Sequence, residues 1–321
     1  MGLLKPLLAV LVAAGIAVSA HAPALADTRA SKINQNTLGL LAADSQWLQQ
    51  AMTIASVVQH DQGLRVLPIV GSGTMQAVSD LATLDSVNAA LLPLDTLTYA
   101  QAQGLLQGLD GKISYLARLQ PVRWALVTTR NIENLTQLAG KRIATGPTGS
   151  MGFVAGELLF SAYEVPFARV ARQNGDALAV LTQGAADAAL VDTAVLRAAR
   201  LDGNRYKVMP LALPNQLTST YVPVMLSSSD APSLIPKGAD IETIAAPLAV
   251  MVFTRTGSKS DDARLKAFSA ALFRNAGQLN INNNIAAEIP GWTRHRAAQE
   301  ALKQLAASAA SESELQQGDG Q

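Results

Sequence analysis

Cysteine is absent from all 321 residues. That excludes disulfides, thiol nucleophiles and thiolate metal sites, and leaves the hydrophobic core as the source of stability. Aromatic residues make up 4% of the chain and charged residues 15%. With no basic stripe and few rings to stack on bases, no nucleic-acid partner is expected. The two histidines beyond the leader, His60 and His295, belong to no HExxH or comparable ligand spacing. GxSxG, the P-loop lysine and conspicuous carboxylate pairs are missing as well. No metal, no cofactor and no enzymatic activity are therefore expected. Long apolar runs are lacking past the leader. The 49% hydrophobic content is dispersed in short pieces that suit buried strands and helix faces rather than membrane spans.

The leader itself is distinctive. Lys5 gives a basic start, and Leu7 to Val18 is uncharged and almost wholly apolar. Such a run suits the core of an export signal and falls short of the roughly 20 residues of a membrane span. Two small-x-small sites follow, Ala20-His21-Ala22 and Ala24-Leu25-Ala26. A signal peptide over 1–26 is expected, cleaved near Ala26 to leave Asp27, with cleavage after Ala22 or an uncleaved anchor as alternatives. No cysteine follows to accept a lipid. Without Lys5, 24 basic residues face 24 acidic ones, a net charge of zero. The remainder is about two domains' worth of chain.

Strand and helix patterns alternate through the first hundred residues. Thr37–Leu41 is strand-like, and Gln46–His60 has apolar residues at three- and four-residue spacing. Arg65–Val70 is a strand, Thr74–Thr83 a helix and Val87–Leu92 a strand. This β-α-β-α-β order implies a mostly parallel sheet. After a glycine-containing connection over 104–113, Ser114–Leu119 and Trp124–Thr129 are strand-like. The alternation then restarts: strand Lys141–Thr145, helix Phe153–Tyr163, short helix Asp176–Gln183, strand Ala188–Asp192, helix Thr193–Leu201. Thr243–Thr254 reads as one strand, and Asp261–Asn275 and Trp292–Ala310 as helices. The polar tail 311–321 is expected to be disordered.

Ligands of open α/β sheets bind at the C-terminal ends of strands. The turns there nominate Asp44 and Ser45, then Gly71, Ser72, Gly73 and Thr74, then Asp95 and Thr96. A second set supplies Thr148, Gly149, Ser150 and Met151, then Asp192 and Thr193. Glycine lets the backbone turn and presents N–H groups at a helix N-terminus, which suits a polar or anionic ligand atom. Each Ser, Thr or Asp is also an ordinary helix cap. Trp47 lies in the first turn. Arg123 suits either a ligand carboxylate or a structural acid, and Trp124 either a stacking surface or the hinge core.

The segment Leu64 to Leu81, with Arg65-Val66-Leu67-Pro68 and Gly71-Ser72-Gly73, resembles the early part of the TAXI-type solute receptors of TRAP transporters. Val87 to Leu97, Leu135 to Ser150, Asp176 to Ala188 and Thr243 to Val250 are similar to later segments of that family, in the same order. The resemblance covers about Asn36 to Ala271. Three places depart from it: Asp44-Ser45-Gln46-Trp47, Gln120-Pro121-Val122-Arg123-Trp124 and Val191-Asp192-Thr193-Ala194. It implies a type II periplasmic-binding fold, two α/β lobes joined by crossing strands, with lobe 1 over 33–122 plus 245–310 and lobe 2 over 123–244. It also implies a periplasmic receptor that delivers a small solute to an inner-membrane transporter. A periplasmic sensor or accessory protein that binds a membrane partner is the alternative.

Overall fold

The computed structural model describes residues 36–109, 111–170, 176–254, 259–279 and 285–318. The expected signal peptide and residues 319–321 of the expected tail lie outside them. Strands β1 (Thr37–Ala42), β2 (Arg65–Val70) and β3 (Ala89–Pro93) alternate with helices α1 (Leu48–Gln62), α2 (Thr74–Thr83) and α3 (Leu94–Ala102). The Asp44 carboxylate accepts from the Gln46 amide at 3.3 Å, and this cap winds Ser45–Trp47 into a 3-10 turn before α1 begins. Gly63 ends α1 at φ 63°, a left-handed position that glycine adopts without strain.

The first sheet has the order β2-β1-β3-β12-β4, with β4 over Ile113–Arg118 and β12 over Leu248–Phe253. β1 is parallel to β2 and β3, whereas β12 is antiparallel to β3 and β4. The second sheet is built from β5 (Val122–Thr129), β6 (Arg142–Ala144), β7 (Ala168–Val170), β8 (Ala188–Asp192), β9 (Tyr206–Met209), β10 (Val222–Leu226) and β11 (Ile241–Ala246). Its order is β10-β11-β5-β8-β6-β7, with β9 also on β5. Both sheets are thus mixed rather than mostly parallel. The βαβ strands run parallel, and the strands arriving from the other lobe run against them. Helices α4 (Met151–Ala162), α5 (Ala177–Thr182) and α6 (Thr193–Ala198) belong to the second lobe. Helices α7 (Lys259–Arg274) and α8 (Arg296–Gly318) return to the first.

The chain crosses between the sheets twice, from Arg118 to Val122 and from Ala246 to Leu248. The strand expected over Thr243–Thr254 is therefore two strands. Pro247 separates them because it has no N–H to donate to either ladder. On one side of it Ala246 pairs with Val122, and on the other Leu248 pairs with Pro93. α8 starts later than expected, at Arg296, where His295 Nδ1 accepts from the Ala297 amide at 3.2 Å. It also runs past Ala310 to Gly318, through the segment expected to be disordered. Glutamate, glutamine and leucine there are strong helix formers, and their propensity outweighs polarity.

All five residues of β3 are buried, which explains its uninterrupted apolar sequence. The core around Leu40, Leu91, Met251 and Phe268 is closed to solvent, and each such side chain contributes about 1.5–3 kcal/mol. β5 divides its residues between two cores. Trp124 and Leu126 join the core shared with the first lobe, and Ala125 and Val127 join a separate cluster beneath α5 and α6.

Candidate functional site: the interlobe cleft

The loops after β1 and β2 face the loop after β6. The Met75 amide donates to the Gly149 carbonyl at 3.2 Å, and Thr74 Oγ1 donates to the same oxygen at 3.4 Å. Gln46 Nε2 reaches Met151 Sδ at 3.7 Å. Further along the same seam Tyr99 of α3 meets Phe153 of α4 edge-on, with ring centroids 6.1 Å apart. Gly73 has φ 134°, and a Cβ there would stand 3.0 Å from the Gly149 carbonyl oxygen. Only glycine permits both that dihedral and that approach.

The loop after β6 is held by packing beneath it. Ser150 caps α4 by accepting from the Phe153 amide at 3.3 Å. Gly152 and Gly156, one turn apart, let the helix settle on Thr145; a Cβ on Gly156 would lie 2.7 Å from Thr145 Cγ2.

The structure sorts the residues nominated by the sequence into three groups. Gly73, Gly149, Thr74 and Met151 touch the facing lobe, and Ser45, Ser72 and Thr148 are exposed on the same turns. Asp44, Ser150 and Asp192 act as caps, Asp192 accepting from Ala194 at 2.9 Å, and Gly71 is tied by its amide to the Ala42 carbonyl at 2.8 Å. Trp47, Asp95, Thr96, Trp124 and Thr193 are buried below the cleft surface. Asp95 and Thr96 go inside because the Leu94 amide bonds to the Pro247 carbonyl at 2.9 Å, which draws the first turn of α3 against the crossing chain. Gln46, Met75, Tyr99 and Phe153 were not anticipated. They sit one to five residues beyond the glycine- and Asp-bearing turns, so extending each turn into its helix would have found them.

Arg123 is engaged by a structural acid. It forms an ion pair with Asp230, which Arg197 also approaches at 3.5 Å. Burial would raise the Asp230 pKa, but the Ser227 amide and the two arginines hold it below the usual carboxylate range. Asp192, largely buried, is pushed upward instead, against the pull of its bond from Ala194 and of Arg123 and Arg197.

Beneath the cleft lies a polar group drawn from both lobes. Asp95 is fully buried, and its Oδ2 accepts from Trp124 Nε1 at 3.3 Å and from the Tyr221 hydroxyl at 3.2 Å. Its Oδ1 and the Thr96 hydroxyl make no hydrogen bond of good geometry. Burial pushes the Asp95 carboxyl up to about 7, opposed by Tyr221, Thr96 and Trp124. Beside it Thr98 Oγ1 and Thr220 Oγ1 are 3.0 Å apart. Among the described residues no cluster of three or more His, Asp or Glu is placed to hold a metal ion, and no helix is long and apolar enough to cross a membrane.

Two α/β lobes joined by two crossings, with strand C-termini meeting at a cleft, define the periplasmic-binding-protein type of fold. PhnD1 from Prochlorococcus marinus, solved in complex with methylphosphonate, is similar at a TM-score of 0.53 and 14% identity, over 85% of this chain and 99% of that chain. A TctC solute-binding protein from Polaromonas is similar at 0.46 and 15% identity, over 84% and 88%. The periplasmic VFT2 domain of Bordetella pertussis BvgS is similar at 0.46 and 12% identity, over 81% and 99%. At these identities the likeness to PhnD1 shows the fold. No family model and no curated protein matches the sequence.

Proposed function

We propose that this protein is an exported, periplasmic solute-binding receptor that captures a small polar or anionic molecule between its lobes. The observation that carries the reading is the convergence of strand-end loops from two sheets, with helix N-termini and exposed Ser72 and Thr148 on the facing turns. Arg123 is occupied by Asp230, so recognition of an anion would rest on backbone N–H groups and hydroxyls. The TAXI resemblance of the sequence supports delivery to a TRAP-type inner-membrane transporter. A solute class that includes phosphonates is supported by the ligand of PhnD1. Lobe limits near 33–122 plus 245–310 and 123–244 go with this reading, shifted at the crossings so that Val122, Ala245 and Ala246 stay with the second sheet, as does binding rather than catalysis.

One observation favours the second reading, a periplasmic sensor or accessory protein that docks on a membrane partner. The facing loops bond directly to one another through Met75 and Gly149, so closure can be stabilised by the protein itself. A thermal-shift screen of residues 27–321 against organic acids, amino acids, sugars and phosphonates separates the two. A solute at 100 times its Kd stabilises the fold by about 2.7 kcal/mol. A hit weakened by Ser72→Ala or Thr148→Ala supports capture in the cleft. A folded protein that responds to nothing in the panel supports the partner-binding reading.

A further inference from the structure

A carboxyl group sealed inside a protein needs either a cation or a proton. Asp95 stands on α3 of the first lobe, and both donors to it come from the second, Trp124 on β5 and Tyr221 at the entry to β10. Both donors address one oxygen, Oδ2, and the other oxygen has no well-formed bond. An ionised carboxylate would have only the Thr96 amide and hydroxyl to lean on at that oxygen, and burial opposes the charge more strongly than they favour it. A neutral acid fits better: Oδ2 becomes the carbonyl that accepts two bonds, and Oδ1 becomes a hydroxyl beside Thr96.

The groups that face Asp95 supply no positive charge. From its own helix there is Thr96, from β5 the indole of Trp124, and from the 220–221 segment the Tyr221 phenol. Behind Tyr221 lies the Tyr163 phenol at the end of α4, itself next to Glu242 of β11. Across the ladder from Trp124 is Asp192 of β8, and Arg123, the adjacent residue on β5, is paired with Asp230. Arg123, the positive charge in this neighbourhood, is committed to Asp230.

We propose that Asp95 is a proton latch for lobe closure: the closed cleft encloses its carboxyl between both lobes and binds a proton there, and opening releases it to solvent. The inference concerns the lobes themselves and holds whether or not a solute enters the cleft. In the closed form burial pushes the carboxyl to about 7, and in an opened, hydrated one it returns toward the ordinary value of about 4. The closed form therefore holds its proton more tightly. Closure is favoured as pH falls, and the closed-to-open ratio drops about tenfold between pH 6 and pH 8.

The absence of cysteine makes the test direct. Gln59→Cys on exposed α1 and Gln183→Cys at the end of α5 accept a donor and acceptor dye, one per lobe. Energy transfer is then followed from pH 5.5 to 8.5 without any solute. The expected result is a closed fraction that falls with rising pH as a single-proton transition, with its midpoint at or below about pH 7, in the otherwise unchanged protein and a flat, closed-like profile in Asp95→Asn. Tyr221→Phe, which removes one donor to Oδ2, should move the midpoint to higher pH. An absent transition overturns the latch, and so does an unchanged one in Asp95→Asn. If Asp95→Asn does not fold, an unmoved midpoint in Tyr221→Phe overturns it. Silence in the solute screen has no bearing on this outcome.

Discussion

The Met75 amide and the Gly149 carbonyl, one from each lobe, are joined by a hydrogen bond of 3.2 Å. The N-terminus of α2 thus receives a backbone carbonyl at N–H groups of the kind that suit a polar or anionic atom. A solute that reaches this amide must replace that carbonyl or approach from beside it.

Gly73→Ala should hold the cleft open. Its Cβ would stand 3.0 Å from the Gly149 oxygen at a φ that alanine avoids, and backbone strain of this kind costs about 1–3 kcal/mol. The matched control is Gly63→Ala, at φ 63° with nothing near its Cβ, which should cost about 1–2 kcal/mol from left-handed strain alone. Small-angle scattering should show an expanded molecule for Gly73→Ala and an unchanged one for Gly63→Ala.

Arg123→Ala should weaken the fold without abolishing solute binding. Its partner Asp230 has a depressed pKa, so the pairing contributes above the unfolded carboxylate pKa and is lost as pH falls through the folded one. Arg123 is partly exposed and Arg197 remains beside Asp230, which limits the loss to about 1 kcal/mol. Urea melts of both proteins should differ at pH 7, and the difference should shrink as pH falls through the lowered range of the folded Asp230 carboxyl. A folded variant that no longer binds any solute would instead place Arg123 in the site.

The fold was legible because β3, β8 and the first two helices carry strong local signals: continuous apolar runs for buried strands and three- to four-residue periodicity for α1. β7, β9 and β10 were missed because they are three to five residues long, and β10 alternates exposed and half-buried residues at a sheet edge. The strand-end turns were legible as well, since glycine and Asp mark them. What the turns could not reveal was depth. Asp95 and Asp44 both follow strand ends, yet a single bond from Leu94 to Pro247 takes one inside, while the other stays at the surface. The partners Tyr221 and Asp230 lie 126 and 107 residues from Asp95 and Arg123, beyond any local pattern.

Glu164→Gly should stabilise the protein. Glu164 ends α4 at φ 55°, the only non-glycine residue with positive φ among those described. A left-handed side chain costs about 1–2 kcal/mol, and the extra freedom of an unfolded glycine returns about 0.5–1 of that. A net gain of about 0.5–1 kcal/mol should appear as a higher urea midpoint with an unchanged m-value.

Asp95 should also shape the pH dependence of folding. Its carboxyl is raised from 3.8 to about 7 in the native state, so the folded protein binds a proton that the unfolded chain has already lost above pH 4. Stability is therefore retained below pH 4, falls as pH rises toward 7, and is constant in this respect beyond it. With 1.36 kcal/mol per pKa unit, the whole loss is on the order of 4 kcal/mol. Asn at this position resembles the neutral acid in shape and cannot ionise. Asp95→Asn should match the parent protein in urea melts at pH 4 and exceed it at pH 8. If the two stability curves stay parallel from pH 4 to pH 8, the buried carboxyl does not change its charge in that range.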